Sequence, residues 1–143
     1  MGRLVGPTGE VMVYEHDPVL KQILRQNLET NKVLNATIML RSLKTRTGPS
    51  DFSVETIDEL QLRSLDWIKV PATADLAALI DGSKESIWRL RPKMMVSFHS
   101  GDDARDFAQQ MREFGYWCWI HETTLFNPEN FFNIGLNFIK VSA

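Results

Sequence analysis

The stretch Val11-Met12-Val13-Tyr14-Glu15-His16-Asp17-Pro18 decides how the rest of the chain is read. Residues 11–14 are apolar or aromatic and suit a short core strand, and Glu15 stands at its end. Asp17 can accept hydrogen bonds from the first unpaired N–H groups of a helix, and Pro18 suits its first position, where a missing N–H costs little. Val19, Leu20, Ile23, Leu24 and Leu28 then recur at helical spacing. A carboxylate at such a strand end can accept two hydrogen bonds from a vicinal diol, which is how nucleotide-binding α/β folds grip ribose. In those folds the loop that holds phosphate or carboxylate lies one strand earlier, yet only ten residues precede Val11. The chain reads as a cofactor domain that begins just after that loop.

Outward from this stretch, strands and helices alternate. Residues 2–10 are rich in Gly and Pro and form a loop, with Gly6-Pro7-Thr8-Gly9 as a turn. Strands are predicted at 36–40, 52–56, 67–70, 94–98, 116–120 and 136–141. A helical turn is expected over 57–62, and Leu76, Leu79 and Ile80 mark a helix ending near Gly82. Residues 87–90 continue in helical style until Pro92 stops them. Asp102 and Asp103 open a helix with Phe107, Met111 and Phe114 on one stripe, and Gly115 stops it. A polar loop is expected over 44–51, and loop and turn with several aromatics over 123–133. This alternation predicts an α/β fold with a mostly parallel sheet covered by helices on both faces. The last two strands lack a long helix between them, so they form an antiparallel hairpin at one edge.

Bulk properties narrow the function. The 143 residues suffice for one domain with a real core but not for two. Net charge is −2 and no concentrated Lys/Arg face is visible, which argues against nucleic acid as a partner. Cys118 is the only cysteine, so there is neither an internal disulfide nor a thiolate metal cluster. No apolar run approaches a membrane span and no signal-peptide core opens the chain, which points to the cytoplasm. Four Trp and eight Phe can anchor a core or an interface.

The order and spacing of several short pieces carry a resemblance. They are Gly6-Pro7-Thr8-Gly9-Glu10-Val11 into Tyr14-Glu15-His16-Asp17-Pro18, Asn27-Leu28 with Asn31, Glu55-Thr56-Ile57-Asp58-Glu59-Leu60, and Asp66-Trp67-Ile68-Lys69. Arg91-Pro92-Lys93, Ser97-Phe98-His99, Gly115-Tyr116 and Leu125-Phe126-Asn127-Pro128-Glu129-Asn130-Phe131 follow. Across nearly the whole chain they resemble class I S-adenosylmethionine-dependent methyltransferases, and more narrowly the FkbM family. The resemblance implies a three-layer Rossmann-like fold missing its first strand, as a single truncated domain over 1–143. It also implies S-adenosylmethionine as cofactor. Two departures stand out. The acidic, glycine-rich first strand and loop that cradle the methionine part of the cofactor in that family are absent. After Lys69 the family motif reads Lys-Ile-Asp-Val-Glu-Gly-Ala-Glu, whereas this chain has Pro71, Thr73 and Leu76 where three acids stand, with Asp75 one position off.

Candidate site residues each have a plainer alternative. Glu15 is either a ribose grip or a solvated strand-end carboxylate near a helix N-terminus. Arg41, Ser42 and Leu43 stand where the resemblance puts an adenine ring: Ser42 could bond its edge and Leu43 cover its face, or all three form a strand-to-loop junction. Asp58 could look catalytic, but Thr56 and Glu59 match a capping box, which favours a structural role. His99 and His121, each placed just after a strand, could serve an acceptor pocket, or tether loops. No metal site is expected, since a metal needs about three or four convergent ligands. Cys118, between Trp117 and Trp119, reads as a buried, inert thiol in a strand. Phe126, Phe131, Phe132 and Phe138 read as core and edge packing, and Arg41, Lys44 and Arg46 as a small solvated basic cluster.

Two functions follow. By descent the chain is an O-methyltransferase acting on a small molecule or sugar, with cofactor affinity weak or lost without the loop. Alternatively it is a non-catalytic interaction or assembly module, whose exposed strand edges are covered within the monomer or in a homodimer.

Overall fold

The computed structural model of the chain describes residues 2–43, 54–72, 74–124 and 137–142. Strand β1 is Val11–Tyr14, helix α1 is Pro18–Thr30, and β2 is Ala36–Met39. Two short strands follow, β3 at Ser42–Leu43 and β4 at Val54–Glu55, then a 3-10 turn at Asp58–Leu60. Strand β5 is Trp67–Val70, and helices α2 (Leu76–Asp81) and α3 (Lys84–Leu90) lead to β6 at Lys93–Phe98. Helix α4 spans Gly101–Glu113, and β7 (Trp119–Thr124) and β8 (Asn137–Ser142) complete the chain's strands.

Three hydrogen-bonded groups result. β1 pairs with β2 in parallel, β3 pairs with β4 in parallel, and a four-stranded group runs in the order β5-β6-β8-β7. β5 and β6 are parallel, whereas β8 is antiparallel to both β6 and β7, so the expected edge hairpin is present. Helix α1 joins the parallel pair β1 and β2, and α2 and α3 join the parallel pair β5 and β6. Ligands of open α/β sheets bind at the carboxyl ends of the strands.

The core sits on the α2–α4 side. Along β5 and β6 alternate residues are buried: Ile68 and Val70, then Met94, Val96 and Phe98. Helix α4 presents Ala104, Phe107, Ala108 and Met111 to them at i, i+3, i+4 and i+7 spacing. The Phe98 and Phe107 rings meet at 5.4 Å between centroids. Leu79, Ile80 and Ile87 complete the cluster from α2 and α3. Residues 2–43 add no buried residue, α1 included.

Local chemistry sets the helix ends. Asp17 accepts from the Val19 and Leu20 N–H groups as the α1 cap. Thr56 and Glu59 form the reciprocal capping box, at 3.1 and 2.9 Å. Gly115 takes φ +78°, where a side chain would be strained, and closes α4 as expected.

Four expectations need correction. Residues 116–118 precede β7: Tyr116 donates its hydroxyl to the Pro92 carbonyl at 3.0 Å, and pairing starts only where Ser142 stands opposite Trp119. His121 therefore lies inside β7 and not after a strand, and Thr123 and Thr124 belong to that strand too. Cys118 is half-buried just before the strand, not inside it. Lys44, Arg46, Phe126, Phe131 and Phe132 lie outside the described residues.

Candidate functional site

Glu15 follows β1 directly, and its N–H donates to the Met39 carbonyl at 3.0 Å, which extends the parallel ladder by one residue. This holds the side chain at the carboxyl end of the strand. The carboxylate is half-buried, with 19% of the side chain exposed. Oε1 accepts from the Asp17 N–H at 2.8 Å and lies 3.6 Å from His16 Nδ1. Oε2 has no partner among the described residues. A carboxylate anchored through one oxygen and open at the other can accept a hydroxyl without losing its position.

Arg41, Ser42 and Leu43 come next in space. Arg41 Nη1 meets Glu55 Oε1 at 3.2 Å, while the Tyr14 hydroxyl donates to Glu55 Oε2 at 3.2 Å. Glu55 thus joins the ends of β1, β3 and β4. Burial, then the Glu55 charge and hydrogen bond, push the Tyr14 phenol far above its ordinary value, so it stays a donor at neutral pH. Ser42 is half-buried in β3, and Leu43 beside it packs against the core cluster. Sequence reasoning missed the Tyr14–Glu55 pair. Its one available signal was an acid in a predicted strand that also buries Val54, which calls for a polar partner.

Beyond β5 the chain turns at Pro71, with the Ala74 N–H bonded to the Pro71 carbonyl at 3.2 Å. Asp75, the one acid of this segment, accepts from the Ala78 N–H at 3.2 Å and caps α2. An open cleft of about 360 Å³ lies between this turn and α4. Pro71, Ala72 and Phe107 give it apolar walls, and Asp103, Asp106 and Gln110 give it a polar one.

His99 follows β6 at the same end of the sheet. His121 is exposed on β7, in register with Lys140, which is in turn opposite Ser97. β8 lies between the two histidines' strands, which separates those strands by about 9–10 Å. The structure does not bring His99 and His121 into one cluster. Among the described residues no group of His, Cys, Asp and Glu has the arrangement to hold a metal ion. No described helix is long and apolar enough to cross a membrane.

No family model and no curated protein matches the chain. Solved structures do. A precorrin-6Y C5,15-methyltransferase from Geobacter metallireducens superposes with a TM-score of 0.65 at 16% identity, over 96% of this chain and 68% of its own. A methyltransferase FkbM from Methylobacillus flagellatus gives 0.67 at 18% identity, over 94% of this chain. The present chain spans only 36% of that protein's length. An rRNA methylase from Streptococcus thermophilus gives 0.55 at 10% identity, over 99% of this chain and 76% of its own. With its parallel β1-β2 and β5-β6 pairs and its antiparallel end, the chain has the Rossmann-like fold of these methyltransferases.

Proposed function

We propose that this is an S-adenosylmethionine-dependent methyltransferase-type domain, of FkbM type by descent, with its chemistry impaired. The observation that carries the proposal is Glu15: a half-buried carboxylate, one oxygen of which has no partner among the described residues, at the carboxyl end of β1 in a chain with the fold of methyltransferases. In this reading Glu15 accepts the ribose hydroxyls, and Arg41, Ser42 and Leu43 border the base. His99 and His121 belong to the side of the methyl acceptor, a small molecule or sugar whose hydroxyl oxygen takes the methyl group. Bound cofactor would supply the sulfonium methyl. The chain's own task is to align it with the acceptor. Impairment follows from the β5 end, where Pro71 and Leu76 carry no charge and Asp75 stands one position off and caps α2.

Calorimetric titration with S-adenosylmethionine tests this. Weak, saturable binding that vanishes in Glu15→Ala supports a retained nucleoside site. Absence of heat at high protein concentration removes the cofactor from the proposal.

A second reading, an interaction or assembly module, is favoured by a separate observation: among the described residues β1 and β5 each have a hydrogen-bonded neighbour on one side only.

A further inference from the structure

We infer that the face of the four-stranded sheet opposite the core binds single-stranded RNA, with Trp67 and Trp119 stacking on bases and Lys69 and Lys93 holding phosphates. This surface needs neither cofactor nor methyl acceptor.

Strand register assembles the face. Residues paired across a sheet share a face, and successive residues of a strand alternate between faces. Trp67 pairs with Lys93. Lys69, Met95, Ser142 and Trp119 form the next row, and Ser97, Lys140 and His121 the row after it. The intervening residues Ile68, Val70, Met94 and Val96 are buried in the core. Trp67 and Trp119 are 48% and 58% exposed, and Lys69, Lys93 and His121 are exposed as well.

Charge is the first argument for the occupant. The three rows hold Lys69, Lys93 and Lys140 and no acid. Asp66 and Glu122 fall on the alternate positions, which belong to the other face. Neither Lys69 nor Lys93 has a carboxylate partner among the described residues. A polyanion complements such a face, whereas a second copy of this chain would set lysines against lysines. The three lysines come from three strands, so no basic run in the sequence announces them.

The tryptophans are the second argument. Tryptophan is usually largely buried, yet all four here are exposed, Trp117 at 82% and Trp88 at 59% beside the two on this face. An open ring is a stacking platform for any base. β5 and β7 lie three strand spacings apart, about 14 Å, so the two rings serve different bases of one strand. The Lys93 ammonium lies 5.5 Å from the Trp67 ring centre. A cation thus stands beside a stacking surface, as the phosphate and base of a nucleotide require.

Polarity is the third. Between the tryptophans stand lysine, methionine and serine, which is not the apolar stripe that seats a helix. Ser97 and His121 offer hydrogen-bond groups to a ribose 2′-hydroxyl, the group that separates RNA from DNA.

The experiment titrates the whole chain into a fluorescein-labelled dodecamer of uridylate and reads anisotropy between about 50 and 200 mM salt. The expected dissociation constant is about 10⁻⁴ M or tighter at the lower salt. Lys69→Gln and Lys93→Gln should each reduce the log–log salt slope by about 0.7, one phosphate contact. Arg105→Gln removes an equal charge from the exposed side of α4 and should leave the slope unchanged. Trp119→Ala should weaken binding about fivefold or more, and Trp119→Phe should recover most of the loss. The matching thymidylate dodecamer should bind about threefold more weakly or worse. Lys69 and Lys93 are exposed, so their glutamine variants keep the test open if Trp119→Ala fails to fold. No anisotropy change at millimolar protein overturns the inference. So does an equal loss of slope in Arg105→Gln, or thymidylate bound as tightly as uridylate. Tighter binding of phosphatidylserine vesicles or of polyglutamate at matched salt also overturns it, as does self-association that Trp119→Ala abolishes.

Discussion

The Tyr14 hydroxyl and the Glu55 carboxylate, 41 residues apart in sequence, meet at 3.2 Å, and Arg41 holds the other Glu55 oxygen. The phenol is raised mainly by burial and next by the Glu55 charge. A group whose folded pKa lies above its unfolded value of about 10 stabilises the fold fully below that pH and loses this contribution as pH rises. Urea midpoints should therefore fall above about pH 10 in the native protein. Tyr14→Phe should cost about 1 kcal/mol at neutral pH and flatten part of that alkaline loss. Tyr116, also raised by burial, retains the rest. Equal alkaline slopes in the two proteins would contradict the assignment.

Asp58 is a structural acid. Its carboxylate accepts from the Ser86 N–H at 2.7 Å and the Glu85 N–H at 3.2 Å, and so caps α3 from a distant turn. Ser83, the residue that precedes α3, makes no cap bond, because its hydroxyl donates to the Leu79 carbonyl at 2.8 Å. Asp58→Ala should lower stability by about 1–2 kcal/mol and leave any S-adenosylmethionine affinity unchanged. Melting curves and titration heats measured on the same variant decide between a cap and a catalytic role.

Arg91 does two jobs at the base of the sheet. It ends α3 with φ +52°, and its guanidinium bonds the Phe114 and Gly115 carbonyls at the end of α4. The same group lies over the Tyr116 ring at 4.8 Å and the Trp88 ring at 5.7 Å. Arg91→Ala should cost about 1–2 kcal/mol, and Arg91→Lys should recover little, because a point charge cannot bridge two carbonyls and stack. Arg91→Gly should be the less damaging of the two truncations by about 1 kcal/mol, since glycine relieves the left-handed backbone. The order of the Ala and Gly midpoints is the readout.

Asn35 pins the chain's opening loop. Its Nδ2 lies 2.9, 3.0 and 2.9 Å from the Gly2, Gly6 and Gly9 carbonyls. Asn35→Asp replaces a donor by a carboxylate facing three acceptors. Residues 2–9 should then detach, with loss of about 1–3 kcal/mol. Limited proteolysis before Val11, faster in the variant than in the native chain, reports it.

Much of the fold was legible in the sequence because its signals are local. The alternation of Ile68, Val70, Met94, Val96 and Phe98, the stripe of Phe107 and Met111, and the punctuation by Asp17, Pro18, Gly82, Pro92 and Gly115 depend on residues within a few positions of one another. The edge hairpin followed from the absence of a helix before the last strand. Less of the candidate site was legible. Glu15 stood out because a strand end is a local feature, but the oxygen it spends on Asp17 and the oxygen it leaves open are set by the folded turn. Glu55 became the hub of Tyr14 and Arg41 only through contacts across tens of residues, which no spacing rule encodes. Periodicity alone determined the α/β class and the helical register of α1. The tertiary structure alone decided that Val19, Leu20 and Ile23 of that helix are exposed and that, among the described residues, β1 and β5 each pair on one side only, because burial and strand pairing are properties of neighbours in space and not of order along the chain.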